Sequence, residues 1–282
     1  MKFEGEYLNG KKWNGFGYKK NYNIEFKIIN GNGKAKEYDE CDKLIFVGEY
    51  TKGERNGKGK EYYEDGILEF DGEFLNGERF GKGKEYNYNG KLEFEGEYTN
   101  GKRNGKGKEY YDNGIIKFEG EYLFGRKWNG KGYNYDDNLE FEIKEGKGNI
   151  KEYNFYNGVL EFEGEYINGE RNGEGKEYNK DGKLIFEGIY LNGKRNGKGR
   201  EYYDNDDDNN NNSNNIDNNN IDIDNFSIEI IPFKYFNKKK RNKKEKEYNN
   251  KLKFEGEYLN GERNGKGKEY YYNNKLEYEG VY

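Results

Sequence analysis

The sequence predicts an all-β chain, an elongated single-layer antiparallel β-meander of stacked hairpin repeats with a period of about 24 residues. Three observations carry this expectation. Phenylalanines recur 24 residues apart at Phe46, Phe70, Phe94 and Phe118, and the spacing returns between Phe162 and Phe186 and between Phe254 and Tyr278. Within one unit, Phe94, Gly96 and Tyr98 alternate with Glu95 and Glu97, the two-residue period of a strand with unlike faces. Each such run ends in a turn pair, here Asn100-Gly101, that accepts the positive φ of a tight hairpin.

Taken in order, the first strand of this unit covers residues 94–98 and the chain reverses at Asn100-Gly101, although the longer Gly-Lys-Arg-Asn-Gly segment leaves room for a wider loop. The second strand covers 105–110, and a turn near Asn113-Gly114 returns the chain to Phe118. One face should carry Phe94 and Tyr98 over the glycines of the next strand, where missing side chains leave space for rings. On the other face Glu95 and Glu97 should approach Lys106 and Lys108, a ladder repeated at Glu255, Glu257, Lys266 and Lys268. Exposed pairs of this kind contribute only ~0.2–1 kcal/mol each, so their main effect is to fix register. An isolated hairpin is marginal in water, so stability must come from neighbours. Nine to eleven hairpins at ~4.8 Å per strand would extend on the order of 90–100 Å.

Composition agrees with a chain that has no ordinary core. Only 31% of residues are apolar and 37% are charged, yet 50 are aromatic, 42 are glycine and one is proline, the reverse of a disordered chain. Cys41 is the lone cysteine, so no internal disulfide forms and a reducing, cytoplasmic setting is expected. The chain opens at Met1-Lys2-Phe3 within the repeat pattern, with no signal-peptide or membrane-spanning run. A net charge of −5 gives no reason to expect nucleic acid.

Two shortened units interrupt the period, one from Phe26 with IINGNGKAKEY and one from Phe141 with IKEGKGNIKEY. Each follows a unit with an added tryptophan, Trp13 or Trp128. Phe3 and Phe118, Trp13 and Trp128, and Phe26 and Phe141 are each 115 residues apart, so a block of that length has been duplicated. The array should occupy 1–203 and resume at 251–282. Between them lie an Asn/Asp-rich stretch at 204–225, too polar to order itself, and a degenerate repeat at 226–250 whose single Pro232 confines it to an edge or bulge. The latter contains the one concentrated basic patch, Lys238, Lys239, Lys240, Arg241, Lys243 and Lys244.

The same string of residues excludes most catalysis. Histidine is absent and the only serines are Ser213 and Ser227, so no Ser-His or Cys-His nucleophile can be assembled and no zinc site is expected. Asp204, Asp206 and Asp208 begin like a calcium loop but lack its glycine and terminal glutamate. The glutamates belong to the repeated motif, which offers no cleft to tune them. No catalytic, metal or cofactor residues are assigned, and the chain is expected not to be an enzyme.

Phe70, Gly72, Phe74, Gly77, Gly81 and Gly83, and again Phe254, Gly256, Tyr258, Gly261, Gly265 and Gly267, follow an aromatic-x-Gly-x-aromatic-x-x-Gly-x-x-x-Gly-x-Gly pattern. Eight or so copies over about 1–203 and 244–282 make the chain similar to the MORN (membrane occupation and recognition nexus) repeat family. It departs from the family where Tyr or Phe stands for the usual second Trp, and where Asn56 and Asn104 stand for a frequent His. The resemblance implies an elongated β-meander that binds proteins or dimerises, with an association to phospholipid and to membrane–cytoskeleton contacts.

A non-catalytic interaction scaffold is therefore expected, its partner lying along an incompletely covered aromatic stripe of Phe46, Tyr50, Phe70, Phe74, Phe94, Tyr98, Phe118, Tyr122, Phe162, Tyr166, Phe186 and Tyr190, or along a sheet edge. Unpaired outer strands would also permit a homo-oligomer. The alternative is a peripheral adaptor on an anionic membrane surface, held by the Lys238–Lys244 patch.

Overall fold

The computed structural model describes residues 2–18, 23–204 and 250–282. Among these, 21 strands follow one another from β1 (Lys2–Leu8) to β21 (Leu276–Val281), with no helix, and each strand pairs antiparallel with its sequence neighbours except between the thirteenth and fourteenth. The hairpin β9 (Leu92–Thr99)–β10 (Lys102–Tyr110) shows why. Thr99 pairs with Lys102, so Asn100 (φ 50°) and Gly101 (φ 74°) alone make the turn, both in the left-handed region that a two-residue primed turn requires. The loop is not widened. The extra residues enter as a bulge instead: pairing jumps from Arg103–Tyr98 to Gly107–Gly96. Gly105 takes φ 106° there, and the Glu97 carboxylate accepts the Lys106 backbone N–H at 3.1 Å.

That carboxylate corrects part of the expected charge ladder. Glu97 satisfies backbone and does not meet the Lys106 ammonium, and Glu257 does the same for the Lys266 N–H at 3.0 Å. Glu95 and Lys108 are in register as expected, but their ion pairs reach the strands on either side, Lys84–Glu95 at 3.2 Å and Lys108–Glu119 at 3.6 Å.

Successive hairpins are stitched at their first turns. The turn N–H of Gly77 donates to the Arg55 carbonyl at 2.9 Å, Gly101 to Arg79 at 3.0 Å and Gly125 to Arg103 at 2.8 Å. The duplicated blocks agree down to single bonds: Gly31 donates to the Trp13 carbonyl and Gly146 to that of Trp128, both at 2.8 Å. They differ in one respect. The ladder between β13 (Leu139–Ile143) and β14 (Gly148–Tyr153) shrinks to the Lys144–Lys147 bridge, which divides the strands into sheets of 13 and 8 where one was expected. The ring layer is not divided, because Tyr166 packs against the buried clusters of both sheets.

The array also passes straight across the insertion. β18 (Lys194–Tyr202) pairs directly with β19 (Leu252–Leu259), Gly199 opposite Gly256, and the Tyr203 N–H donates to the Lys251 carbonyl at 2.9 Å as Tyr111 does to Ile115 at 2.8 Å. The insertion thus replaces a second turn and does not break the sheet. The expected disorder of 204–225, apart from Asp204 itself, and the degenerate repeat of 226–250, apart from Asn250, lie outside the described residues.

The stripe of aromatic residues is the core of this single layer. Phe94 is fully buried, with its Cζ lying 2.4 Å from where a Cβ on Gly107 would stand. It meets Tyr98 edge to face at 5.6 Å and Tyr122 of the next repeat at 5.2 Å, so rings alternate in a T-shaped chain from hairpin to hairpin. Gly107→Ala should therefore lose roughly 1–3 kcal/mol or more through overpacking. Gly114→Ala, at φ 82° in open space, should lose only about 1–2 kcal/mol of backbone strain. Paired denaturant melts check the order; equal losses would mean that the ring does not occupy the glycine's side-chain space.

Candidate functional site

The expected partner surface is not available on the rings. Eleven of the twelve stripe residues are buried, from Phe46 at 0% to Tyr50 at 8% exposed, and Tyr166 is half-buried. What covers them is an arginine layer. The hairpin bulge brings Arg103 onto the ring-bearing face opposite Tyr98, and its guanidinium lies 4.1 Å from the Phe94 centroid. Arg55, Arg79, Arg171, Arg195 and Arg263 sit over their own phenylalanines at 3.9–4.4 Å. A planar guanidinium can stack on a ring and still bind carboxylates at its edge, which an ammonium cannot match.

Glutamates complete the layer. The Glu-Tyr that closes the second strand of a regular hairpin can place its carboxylate between two arginines: Glu61 pairs with Arg55 and Arg79, both at 2.7 Å, and Glu85 pairs with Arg79 at 3.3 Å and with Arg103. Glu109 pairs with Arg103 at 3.0 Å and Lys127 at 2.8 Å. Beyond the duplicated block the row resumes with Glu152, Arg171, Glu177, Arg195, Glu201 and Arg263. The same acids anchor tyrosines, as where the Tyr190 hydroxyl donates to Glu177 and that of Tyr258 to Glu201, each at 2.6 Å. Burial, then the bond to the carboxylate, pushes both phenols upward. Burial alone would raise the Glu109 carboxyl, but Lys127 and Arg103 outweigh it and hold it at about 2.

The row was legible in the spacing: Arg55, Arg79 and Arg103 share the 24-residue period with Glu61, Glu85 and Glu109. Reading them as turn and strand residues hid their joint position over the rings. Near Tyr98, which precedes the turn, the next residue faces the opposite way. On that opposite face, an aliphatic side chain stands beside the first turn of seven of the ten described hairpins: Leu8, Ile29, Leu75, Leu123, Ile167, Leu191 and Leu259 are 36–50% exposed. Threonine takes the position at Thr51 and Thr99. Ile189, where other repeats carry glutamate, adds to the row between Ile167 and Leu259. The basic residues Lys238, Lys239, Lys240, Arg241, Lys243 and Lys244 lie outside the described residues.

A MORN repeat family model matches the chain at six segments, 46–67, 70–91, 94–116, 162–183, 186–207 and 254–275. The chain is a MORN-repeat protein. These six are the hairpins whose phenylalanine lies under an arginine; the MORN matches skip the tryptophan-bearing units, where Lys12 and Lys127 take the arginine's place, and the shortened units after them. No curated protein matches the chain.

Glu109 supplies a test of the charge row. Its folded pKa of about 2 lies below the ordinary 4.5, so its stabilisation is complete above about 4.5 and is lost as pH falls to about 2. By linkage this amounts to roughly 3 kcal/mol. Thermal melts of the native chain and Glu109→Gln should differ most near neutrality and converge near pH ~2; a pH-independent difference would contradict the assignment.

Proposed function

We propose that this MORN-repeat chain is a non-catalytic protein-interaction scaffold whose partner seats on the aliphatic row of the face opposite the rings. One observation carries the reading. The ring-bearing face is closed by the Arg–Glu layer, whereas the other face leaves a half-exposed Leu or Ile beside most first turns, in a line that follows the strand order. Rows of this kind, flanked by charged neighbours such as Glu170, Lys194 and Glu262, have the apolar centre and polar rim of an interface. The absence of histidine, and the engagement of the ladder glutamates by arginine, tyrosine and backbone, favour a binding role over chemistry.

Changing Ile167, Leu191 and Leu259 together to Ser tests it. Because all three side chains point to solvent, the melting temperature should stay within a few degrees of native. Partners captured from native extract by the unaltered chain should be lost, and a second copy of the chain is one such partner. Undiminished capture by a folded variant would remove the row from the interface.

Peripheral attachment to anionic membrane through the Lys238–Lys244 patch is a second reading. It is favoured by the direct pairing of β18 with β19, which lets a basic segment be carried on the array without being needed to build it. Deleting 205–249 and bridging the ends with a four-residue turn should leave the melt unchanged and abolish flotation with phosphatidylserine liposomes. Retained flotation would exclude the patch.

A further inference from the structure

The Arg–Glu row has two interruptions, and both are built alike. β10 ends Gly107-Lys108-Glu109-Tyr110, but β12 (Arg126–Tyr133) ends Gly132-Tyr133 and so lacks the carboxylate that should follow Lys127. β14 follows a turn too short to carry an arginine, so the next charged group in the row is Glu152. In the first block β2 (Lys11–Tyr18) likewise ends Gly17-Tyr18, and the row restarts at Glu37 of β4 (Asn32–Tyr38).

A cavity opens at each interruption. The first, about 280 Å³, is lined by Lys12, Phe26, Glu37 and Tyr38, and the second, about 130 Å³, by Lys127, Phe141, Glu152 and Tyr153, the same residues 115 positions on. Lys117 and Glu161 also face the second. In a regular repeat this part of the row holds a carboxylate between two cations. Here the carboxylate and the arginine that would follow it are both missing, and lysines remain at the edge of the gap, Lys12 at the first and Lys127, paired with Glu109, with Lys117 at the second. Lys12 lies 5.6 Å from the centroids of both Phe3 and Phe26 and makes no ion pair among the described residues. Lys117 donates to the Tyr153 carbonyl at 2.7 Å and likewise has no carboxylate partner. Burial first, then repulsion from Lys127, lowers the hold of Lys117 on its proton, while Glu109, Glu152 and Glu161 act in the other direction.

We propose that each cavity receives a carboxylate side chain from an acidic segment of a partner protein, which takes the place that Glu61, Glu85, Glu177 and Glu201 hold elsewhere in the row. The aromatic walls suit the methylene stem of such a side chain. Glu37 in the first cavity, and Glu152 and Glu161 in the second, discriminate against a phosphate dianion by like-charge repulsion while a single negative charge meets the free ammonium. Lys12 and Lys127 stand on strands ten positions apart in one sheet, about 48 Å at ~4.8 Å per strand. One extended segment with acidic residues about 14 positions apart can therefore fill both cavities, and joining the two contacts raises affinity without any new one. The inference rests on the scaffold reading only in taking the ligand to be a protein; the surface used is the opposite one.

The test follows lysine side-chain resonances of the full chain, assigned by through-bond correlation, during titration with sodium acetate against sodium chloride at equal ionic strength. Lys12 and Lys117 should move saturably with acetate while exposed lysines such as Lys34 and Lys108 follow ionic strength alone. A peptide with two glutamates 14 residues apart should bind at least ~10-fold more tightly than one with a single glutamate. Lys12→Met with Lys117→Met should abolish that gain. Uniform lysine shifts, equal response to chloride, or stronger saturation by inorganic phosphate than by acetate would each overturn the proposal, and the wild-type titration reads without any variant having to fold. Loss of partner capture by the Ile167, Leu191 and Leu259 variant would leave this titration unchanged, so the two readings fail separately.

Discussion

A phenylalanine ring laid over a pair of glycines is the contact on which this molecule depends. Phe94 fills the space that side chains at Gly96 and Gly107 would need, and Phe46, Phe70, Phe162, Phe186 and Phe254 repeat the arrangement. One layer of strands has no second sheet to bury its apolar face against, so the usual two-layer solution is closed to it. The chain instead builds its own second layer from side chains. Glycine lets the ring lie down on the backbone, the tyrosine two strands on meets its edge, and arginine closes the top.

Each later feature follows from that covering. An arginine held over a ring needs its charge balanced, and the glutamate closing the second strand supplies this to two arginines at once, which joins each hairpin to the next. The bulge at Gly105 is the device that turns Arg103 toward the rings, since regular pairing beyond Gly107 would place the turn residues differently. Where a hairpin is shortened there is no arginine, and the covering opens. The two cavities are thus a consequence of the duplicated block, and their chemistry is that of the unfilled positions in the row.

The period, the turns, the alternation of faces and the family were all readable from residue spacing, because each is local or strictly repeated. The face left open was not. Phe94 and Tyr98 looked like an exposed strip, since nothing in a strand pattern reports that Arg103, five residues beyond Tyr98, folds back over the ring. Glu97 could not be separated from Glu95 by sequence, as only the bulge brings the Lys106 N–H within its reach. The division between β13 and β14 is equally illegible: the shortened unit from Phe26 keeps three paired positions in its hairpin, while its duplicate from Phe141 keeps a single bridge. The insertion looked like a break because its composition changes, yet a turn can hold any length of chain when the strands beside it are already in register.

The most direct measurement of the ring-over-glycine contact is the nuclear Overhauser pattern between phenylalanine ring protons and glycine Hα protons. Strong cross-peaks are predicted for Phe46 with Gly59, Phe94 with Gly107, Phe186 with Gly199 and Phe254 with Gly267. Rings that show cross-peaks only within their own strand, with glycine Hα protons free of them, would contradict the account.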